Sequence, residues 1–356
     1  MVSNRIVVVG GGLAGLSTAW HLAQFGARDV VVVERERELG TQASAQNAAI
    51  VRTAIDDAPM RELAQRGARF LNEPPPGFSL QKLVAGDGLI VLSSANVTWE
   101  HGERIDSVGA RRRLPALSKA AENGWFFAQE GRVDVRVLIA AFAEGARAAG
   151  VRFVLDARVR AIREQGLGVE LASGETIEAE RCVLAAGAWA APLARAVGSR
   201  VELTPTRRHL LVTRRDAAID PRWPAVWSDD DEFYARPDSG GWMLCPCDED
   251  AVDPDRLTAT HAALESATSK ARAILNSADI GQPAKFWAGL RTHAADRRFV
   301  IGRDSHVPNL IWAAGLGGHG VTCAAVVGEL AARAALCIEE PRAIAGPFSP
   351  TRFETP

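Results

Sequence analysis

Three observations predict an α/β fold of mixed α+β character, in which a nucleotide-binding sheet is interrupted by a second, mixed sheet. The chain opens on an apolar strand that runs into a glycine loop and a helix. Helix and strand patterns follow one another through both ends and the middle, and a glycine-rich helix entry recurs after a buried strand near residue 315. The first strand is Ile6-Val7-Val8-Val9, followed by Gly10-Gly11-Gly12-Leu13-Ala14-Gly15 and a helix expected over residues 12–25. In this G-x-G-x-x-G pattern Gly10 permits the tight turn, Gly12 lets the backbone approach a pyrophosphate, and Gly15 lets the helix pack closely on the strand. The helix then presents free amides and its positive dipole end to an anion. A second strand, Val30-Val31-Val32-Val33, ends at Glu34, about 20 residues after the glycines, where a ribose hydroxyl finds its acceptor. An acid there disfavours a 2′-phosphate and leaves FAD or NAD.

The 356 residues suggest about two domains, and a formal charge of −2 leaves no basic excess for nucleic acid or an anionic membrane. The cysteines at 182, 245, 247, 323 and 337 are irregularly spaced, which argues against a disulfide framework and for a reducing cytoplasm. No apolar segment has the length of a membrane span, since the long C-terminal helical candidate carries Glu329 and Arg333.

After Glu34 comes a small-residue loop, residues 40–49, suited to close approach of a cofactor, then a helix over 60–72 stopped by Pro74-Pro75-Pro76-Gly77. Strands are expected at 88–92 and 124–127, a helix at 135–149, a strand at 151–155, and a hairpin from 169–171 and 176–178 around Ser173-Gly174. A buried strand leads into Ala185-Ala186-Gly187-Ala188-Trp189. Residues 201–289 read as strands with a helix over 254–275, before strands at 299–302 and 310–314 and a final helix over 321–336. The resulting division assigns 1–50, 132–202 and 300–356 to the nucleotide-binding domain and 51–131 and 203–299 to an inserted substrate domain.

The second cluster, Gly315-Leu316-Gly317-Gly318-His319-Gly320, opens a helix far from the first. Two such entries let one hold the pyrophosphate and the other face a reactive ring. A flavin fits, because its reduction places negative charge where a helix N-terminus stabilises it. Together the first fingerprint, Ala45-Gln46-Asn47, Ala185 to Trp189, Ala288-Gly289-Leu290-Arg291, and Gly317-Gly318-His319-Gly320 followed by Glu329 resemble the D-amino-acid oxidase-like family of FAD enzymes, which includes glycine and sarcosine oxidases. Asn72 to Phe78, Pro205-Thr206-Arg207-Arg208, Trp223-Pro224, Glu232-Phe233-Tyr234 and Ser349-Pro350-Thr351-Arg352 are similar to phrases of the bacterial FAD-dependent D-arginine dehydrogenases within it. The resemblance runs in order over nearly the whole chain and implies a Rossmann-like FAD-binding domain.

The resemblance implies non-covalent FAD held by Gly10, Gly12, Leu13, Ala14, Gly15, Glu34 and Arg35, and by Ser44, Gln46, Asn47, Ala48 and Ala49 of the loop. It adds Val159, Ala186, Gly187 and Trp189, then Gly315, Gly317, Gly318, His319, Gly320, Val321 and Thr322. The implied reaction is hydride transfer from an amino acid, a D-amino acid first of all, to flavin N5, giving an imino acid that hydrolyses to the 2-oxo acid. Arg208 and Arg291 align with carboxylate-binding arginines, suited by their planar fork, and Tyr234, the chain's only tyrosine, with a residue contacting the same carboxylate. His319 either satisfies backbone polar groups, the reading favoured by its residue type, or tunes the flavin or the amine, and Gly318 is read as lining the substrate pocket.

Departures from the D-arginine dehydrogenases concern the side-chain pocket. Ile50 and Ile55 replace a histidine and a tyrosine, with Arg52 between them, and Leu89 replaces the glutamate that receives a cationic side chain. A cationic substrate would lack its partner, so a neutral, aromatic or acidic side chain is expected, with Arg52 in contact. Oxidation of a secondary amine or N-methyl amino acid is the alternative, and a 2-hydroxy acid dehydrogenase a more distant one. No metal is expected: Cys245-Pro246-Cys247 lacks C-x-x-C spacing and a second ligand pair, and Asp229 to Glu232 lacks EF-hand spacing. The sequence leaves open the oligomeric state and whether oxygen, a quinone or another carrier reoxidises the flavin.

Overall fold

The strand Val30–Val33 is buried along its whole length, as the β-branched run of a parallel sheet covered on both faces should be. It pairs in parallel with Ile6–Val9 on one side and with Arg152–Val154 on the other. In this computed structural model, which describes residues 4–95, 98–118, 124–276, 280 and 283–354, those strands belong to a six-stranded sheet. Its order is Val300–Arg303, Leu310–Ala314, Arg181–Leu184, Ile6–Val9, Val30–Val33, Arg152–Val154, all parallel except the first pair. Both glycine clusters therefore follow strands of one sheet, at the ends of Ile6–Val9 and Leu310–Ala314.

Helices Leu13–Gln24 and Gly320–Leu336 cross in close contact. A Cβ on Gly328 would stand 2.1 Å from Ser17 Oγ, so only a hydrogen fits between them. The helix Ala58–Asn72 begins two residues before the expected Met60, because Asp57 caps it by accepting the Met60 amide at 3.0 Å.

A second sheet of eight strands runs Pro283–His293, Thr204–Thr213, Gly241–Cys245, Phe233–Asp238, Ala225–Ser228, Leu89–Leu92, Gly124–Phe127, Glu103–Ile105. Neighbours are antiparallel except Ala225–Ser228 with Leu89–Leu92. Helix His261–Ile274 seals one face through Ala267, Ala271 and Ile274. It starts later than the expected 254: Asp253 caps only a short 3-10 turn, Pro254–Arg256, and the chain is extended at Leu257 and Thr260 before the helix begins. The hairpin gains a third strand, Val159–Ile162, too short to stand out in the sequence. A two-stranded ribbon pairs Ile50–Val51 with Gly131–Arg132. Among the described residues no helix is long and apolar enough to cross a membrane, and all five cysteines are free thiols.

Two outcomes test this packing. Gly328→Ala overpacks the helix crossing and costs about 1–3 kcal/mol, read as a lowered thermal midpoint. His21, buried with Nδ1 2.9 Å from Ser17 O, has its pKa lowered by burial from 6.5 to about 4. Between those values the unfolded chain binds the extra proton, so stability falls as pH drops through that window. His21→Gln shows a shallower loss on acid titration of the thermal midpoint.

Candidate active site

Gly10 adopts φ +109°, and a Cβ there would lie 2.4 Å from Ala185 O. A Cβ on Gly15 would lie 1.9 Å from Gly10 O. The loop is thus pressed flat between its own helix and the end of Arg181–Leu184. Gly12 is the N-cap and brings no side chain to the helix entry, where the Leu13 amide donates to Ser44 Oγ at 2.9 Å.

From this entry a cavity of about 690 Å³ extends to the second cluster. Of the expected cofactor residues, Gly10, Gly12, Leu13, Ala14, Glu34, Arg35, Ser44, Asn47, Val159, Ala186, Gly187, Trp189, Gly315, Gly317, Gly318, Gly320 and Val321 line it. Six do not. Gly15 packs beneath the loop, and Thr322 Oγ1 is turned to the Arg52 amide at 3.3 Å. Ala48 offers its carbonyl to Arg236, Ala49 its carbonyl to Val133 N, and Gln46 its carbonyl to Arg291. His319 is half-buried as the N-cap of Gly320–Leu336.

At the first end Glu34 is held by both carboxylate oxygens, accepting Gly11 N at 2.6 Å and Glu36 N at 2.9 Å. Arg35 stacks on Trp189 at 3.9 Å, and Trp189 Nε1 donates to Asp255 at 2.9 Å. Asp255, Arg158 and Arg160 also line this end and were missed from the sequence. Asp253-Pro254 reads as a helix start, which hid the turn that brings Asp255 here.

At the other end the Gly317 amide donates to Thr292 O at 2.9 Å, and a Cβ on Gly317 would lie 2.7 Å from His293 Cε1. The second cluster is therefore docked on the strand that carries Arg291. Arg291 is buried and lines the cavity; its Nη1 donates to Gln46 O at 3.2 Å and Leu290 O at 2.8 Å. Among the described residues no carboxylate pairs with it.

Arg208 differs from the expectation of a second free clamp. Strand register sets it opposite Gly289, a diagonal neighbour of Arg291. Its Nε donates to Asp248 O at 2.8 Å, and Nη2 pairs with Glu249, which also binds Arg297 and faces His293 at 3.6 Å. An internal carboxylate thus already occupies it. Glu249 and His293, both missed from the sequence, are brought here by the turn after Cys247 and by the length of the Pro283–His293 strand.

Tyr234 is buried opposite Cys245 in the neighbouring strand, and its ring stacks on Trp227 with centroids 4.4 Å apart. Burial raises the Cys245 thiol, but hydrogen bonds from Cys247 and Tyr234 and the charge of Arg208 outweigh it and bring the pKa to about 6. Ile50 packs between Tyr234 and the cluster around Leu89. Leu89 is fully buried among Val91, Trp125 and Phe127, and, like Ile50, Arg52, Arg208 and Tyr234, it is not part of the cavity lining, whereas Arg291 and Gly318 are. Arg52 pairs with Asp229 at 2.7 Å. His319 has its pKa lowered to about 3 by burial, then by the charges of Arg52, His293, Arg208 and Arg297. It is a neutral imidazole at ordinary pH.

A long cavity with a glycine-cradled helix entry at each end, an acid at one end and, at the other, a guanidinium without a carboxylate partner among the described residues fits a flavin dinucleotide. The family model of the FAD-dependent oxidoreductases matches residues 5–334. 4-Methylaminobutanoate oxidase (formaldehyde-forming) of Paenarthrobacter nicotinovorans is 25% identical, over 91% of this chain and 43% of its own length. Glycine oxidase of Bacillus licheniformis is 25% identical, over 92% of this chain and 91% of its own. Two solved structures share the fold. Glycine oxidase from Geobacillus kaustophilus has a TM-score of 0.83 at 23% identity, covering 99% of this chain and 100% of that one. L-proline dehydrogenase from P. horikoshii has a TM-score of 0.84 at 20% identity, covering 99% and 98%. The chain belongs to the DAO family of FAD-dependent oxidoreductases, and FAD is its cofactor.

Proposed function

We propose that this enzyme oxidises the C–N bond of an amino acid, a D-amino acid without a cationic side chain, to an imino acid that water hydrolyses to the 2-oxo acid. The observation that carries this reading is Arg291, a buried guanidinium with no carboxylate partner among the described residues, at the end of the cavity lined by the second glycine cluster. Bound FAD supplies the two-electron acceptor. Gln46 O and Leu290 O hold Nη1, leaving the rest of the fork to fix the substrate carboxylate and so orient Cα–H. Tyr234 is buried within the field of Arg291. The lowered proton affinity of His319 argues against its acting as the base. The positive groups that lower it act in the same way on a substrate ammonium, favouring the neutral amine that oxidation requires.

Against a cationic side chain stands the pairing of nearby carboxylates, Asp229 with Arg52 and Glu249 with Arg208 and Arg297. The same clamp suits an N-methyl amino acid or glycine, and the names of the relatives favour this second reading. The two sheets support reading 1–50, 132–202 and 300–356 as the cofactor-binding unit and 51–131 and 203–299 as the substrate unit.

Anaerobic mixing with D-amino acids, glycine and sarcosine tests the reaction: bleaching of the flavin absorbance is expected, and its absence with every amine overturns it. Arg291→Lys raises KM by roughly 10- to 100-fold, as expected for a lost fork contact. The value of kcat/KM rises with pH along a limb that moves with the basicity of the substrate amine. A limb fixed near pH 6.5 for all substrates would instead assign the step to a histidine.

A further inference from the structure

Within the field of Arg291, and outside the cavity lining, Tyr234 begins a stack. Tyr234 lies on Trp227 with the planes 19° apart, and the Arg52 guanidinium lies over Trp227, 4.3 Å from its centroid. The Arg52 amide is tied to Thr322 Oγ1 at 3.3 Å, in the first turn of the helix whose Gly318, Gly320 and Val321 line the cavity. Arg52 also leads the charges that depress His319, which places its field at the same helix entry.

The guanidinium is incompletely answered. Asp229 takes Nη2 at 2.7 Å, but among the described residues the buried Nε has no hydrogen-bond partner. A buried donor left unmade costs more than a formed bond returns, so the arrangement calls for an acceptor. Glu130 also faces Arg52. Its Oε1 is taken by the Thr53 amide at 3.0 Å and by the Thr53 hydroxyl, and its Oε2 is buried without a partner. Burial raises Glu130 to about 7 against those bonds and against Arg52, so near neutral pH it offsets the arginine only in part. Of the arginines here, Arg208 and Arg297 share Glu249, Arg52 has Asp229, and Arg291 has no acid partner among the described residues. Asp56 beside Asp229 and Asp248 beside Arg208 add further negative charge, so it is the open Nε of Arg52, not a net charge, that calls for an acceptor.

We propose that Arg52 is a second anion subsite, so that the preferred substrate carries a distal carboxylate at Arg52 in addition to the α-carboxylate at Arg291, as in an acidic amino acid. Asp229 and the Trp227 ring hold the guanidinium in place, while Nε–H and the unused edge of the fork receive the distal group. The proposal deepens the amine-oxidation reading and rests on it for turnover, though not for binding.

The test uses the FAD-loaded enzyme in two measurements. In the first, anaerobic flavin reduction compares D-aspartate and D-glutamate with D-asparagine and D-glutamine, which match them in shape and lack the charge. The acids are expected to exceed the amides in kcat/KM by at least about tenfold. Arg52→Gln collapses that ratio mainly through KM, and Arg52→Lys restores part of it. In the second, perturbation of the flavin spectrum follows binding of glutarate against butyrate, neither of which has an amine to oxidise. Glutarate is expected to bind tighter, with the advantage lost in Arg52→Gln. Amides equal to or better than acids, or glutarate and butyrate binding alike to the wild-type enzyme, overturn the subsite. If no amine bleaches the flavin yet glutarate binds tighter through Arg52, the oxidation reading fails and the subsite stands.

Discussion

The site depends on one constraint, the absence of side chains where the first glycine loop meets the sheet. Gly15 lies against Gly10 O, and Gly10 against Ala185 O, each closer than a Cβ allows. That contact fixes the helix Leu13–Gln24 on the strand and aims its entry at Ser44 and the cavity. The helix in turn receives Gly320–Leu336 through Ser17 and Gly328, so the position of the second entry is inherited from the first. A methyl group in this chain of contacts would move both ends of the cavity together.

The chemistry at the far end comes from strand register. Pairing of Thr204–Thr213 with Pro283–His293 sets Arg208 and Arg291 as diagonal neighbours on one face. Their environments then separate them. Arg208 meets Glu249 from the turn after Cys247, whereas among the described residues the hydrogen bonds of Arg291 go to backbone carbonyls. Two arginines of the same type on the same sheet thus differ in whether their charge is already spent, and the difference arises in a loop rather than in the strands.

The cofactor sheet was legible in the sequence because its signals are local: valine runs, glycines at fixed spacing and an acid after the second strand. Even the hairpin around Ser173-Gly174 could be placed from its turn. Of the candidate site, the residues that line the cavity and could be named from the sequence are Arg291 and the two glycine clusters. What escaped depends on contacts between distant segments. Asp255 was hidden by a cap that reads as a helix start, and Glu249 and His293 carry no motif. Leu89 was placed in the pocket by alignment, yet alternation along its strand turns it into the cluster with Trp125 and Phe127.

The lining of the cavity runs from Val9 to Val321, and this has a consequence for how the protein comes to exist. The helix that follows the first glycine loop is covered by Gly320–Leu336, made some three hundred residues later. During synthesis the early strands and helix must wait with their apolar faces unburied, and loop closure of that length makes their pairing slow. The flavin-binding half cannot be completed as an early, self-contained unit on the ribosome. Cofactor capture is a late event in the life of this chain, and holding the nascent fold soluble until then falls to the cell.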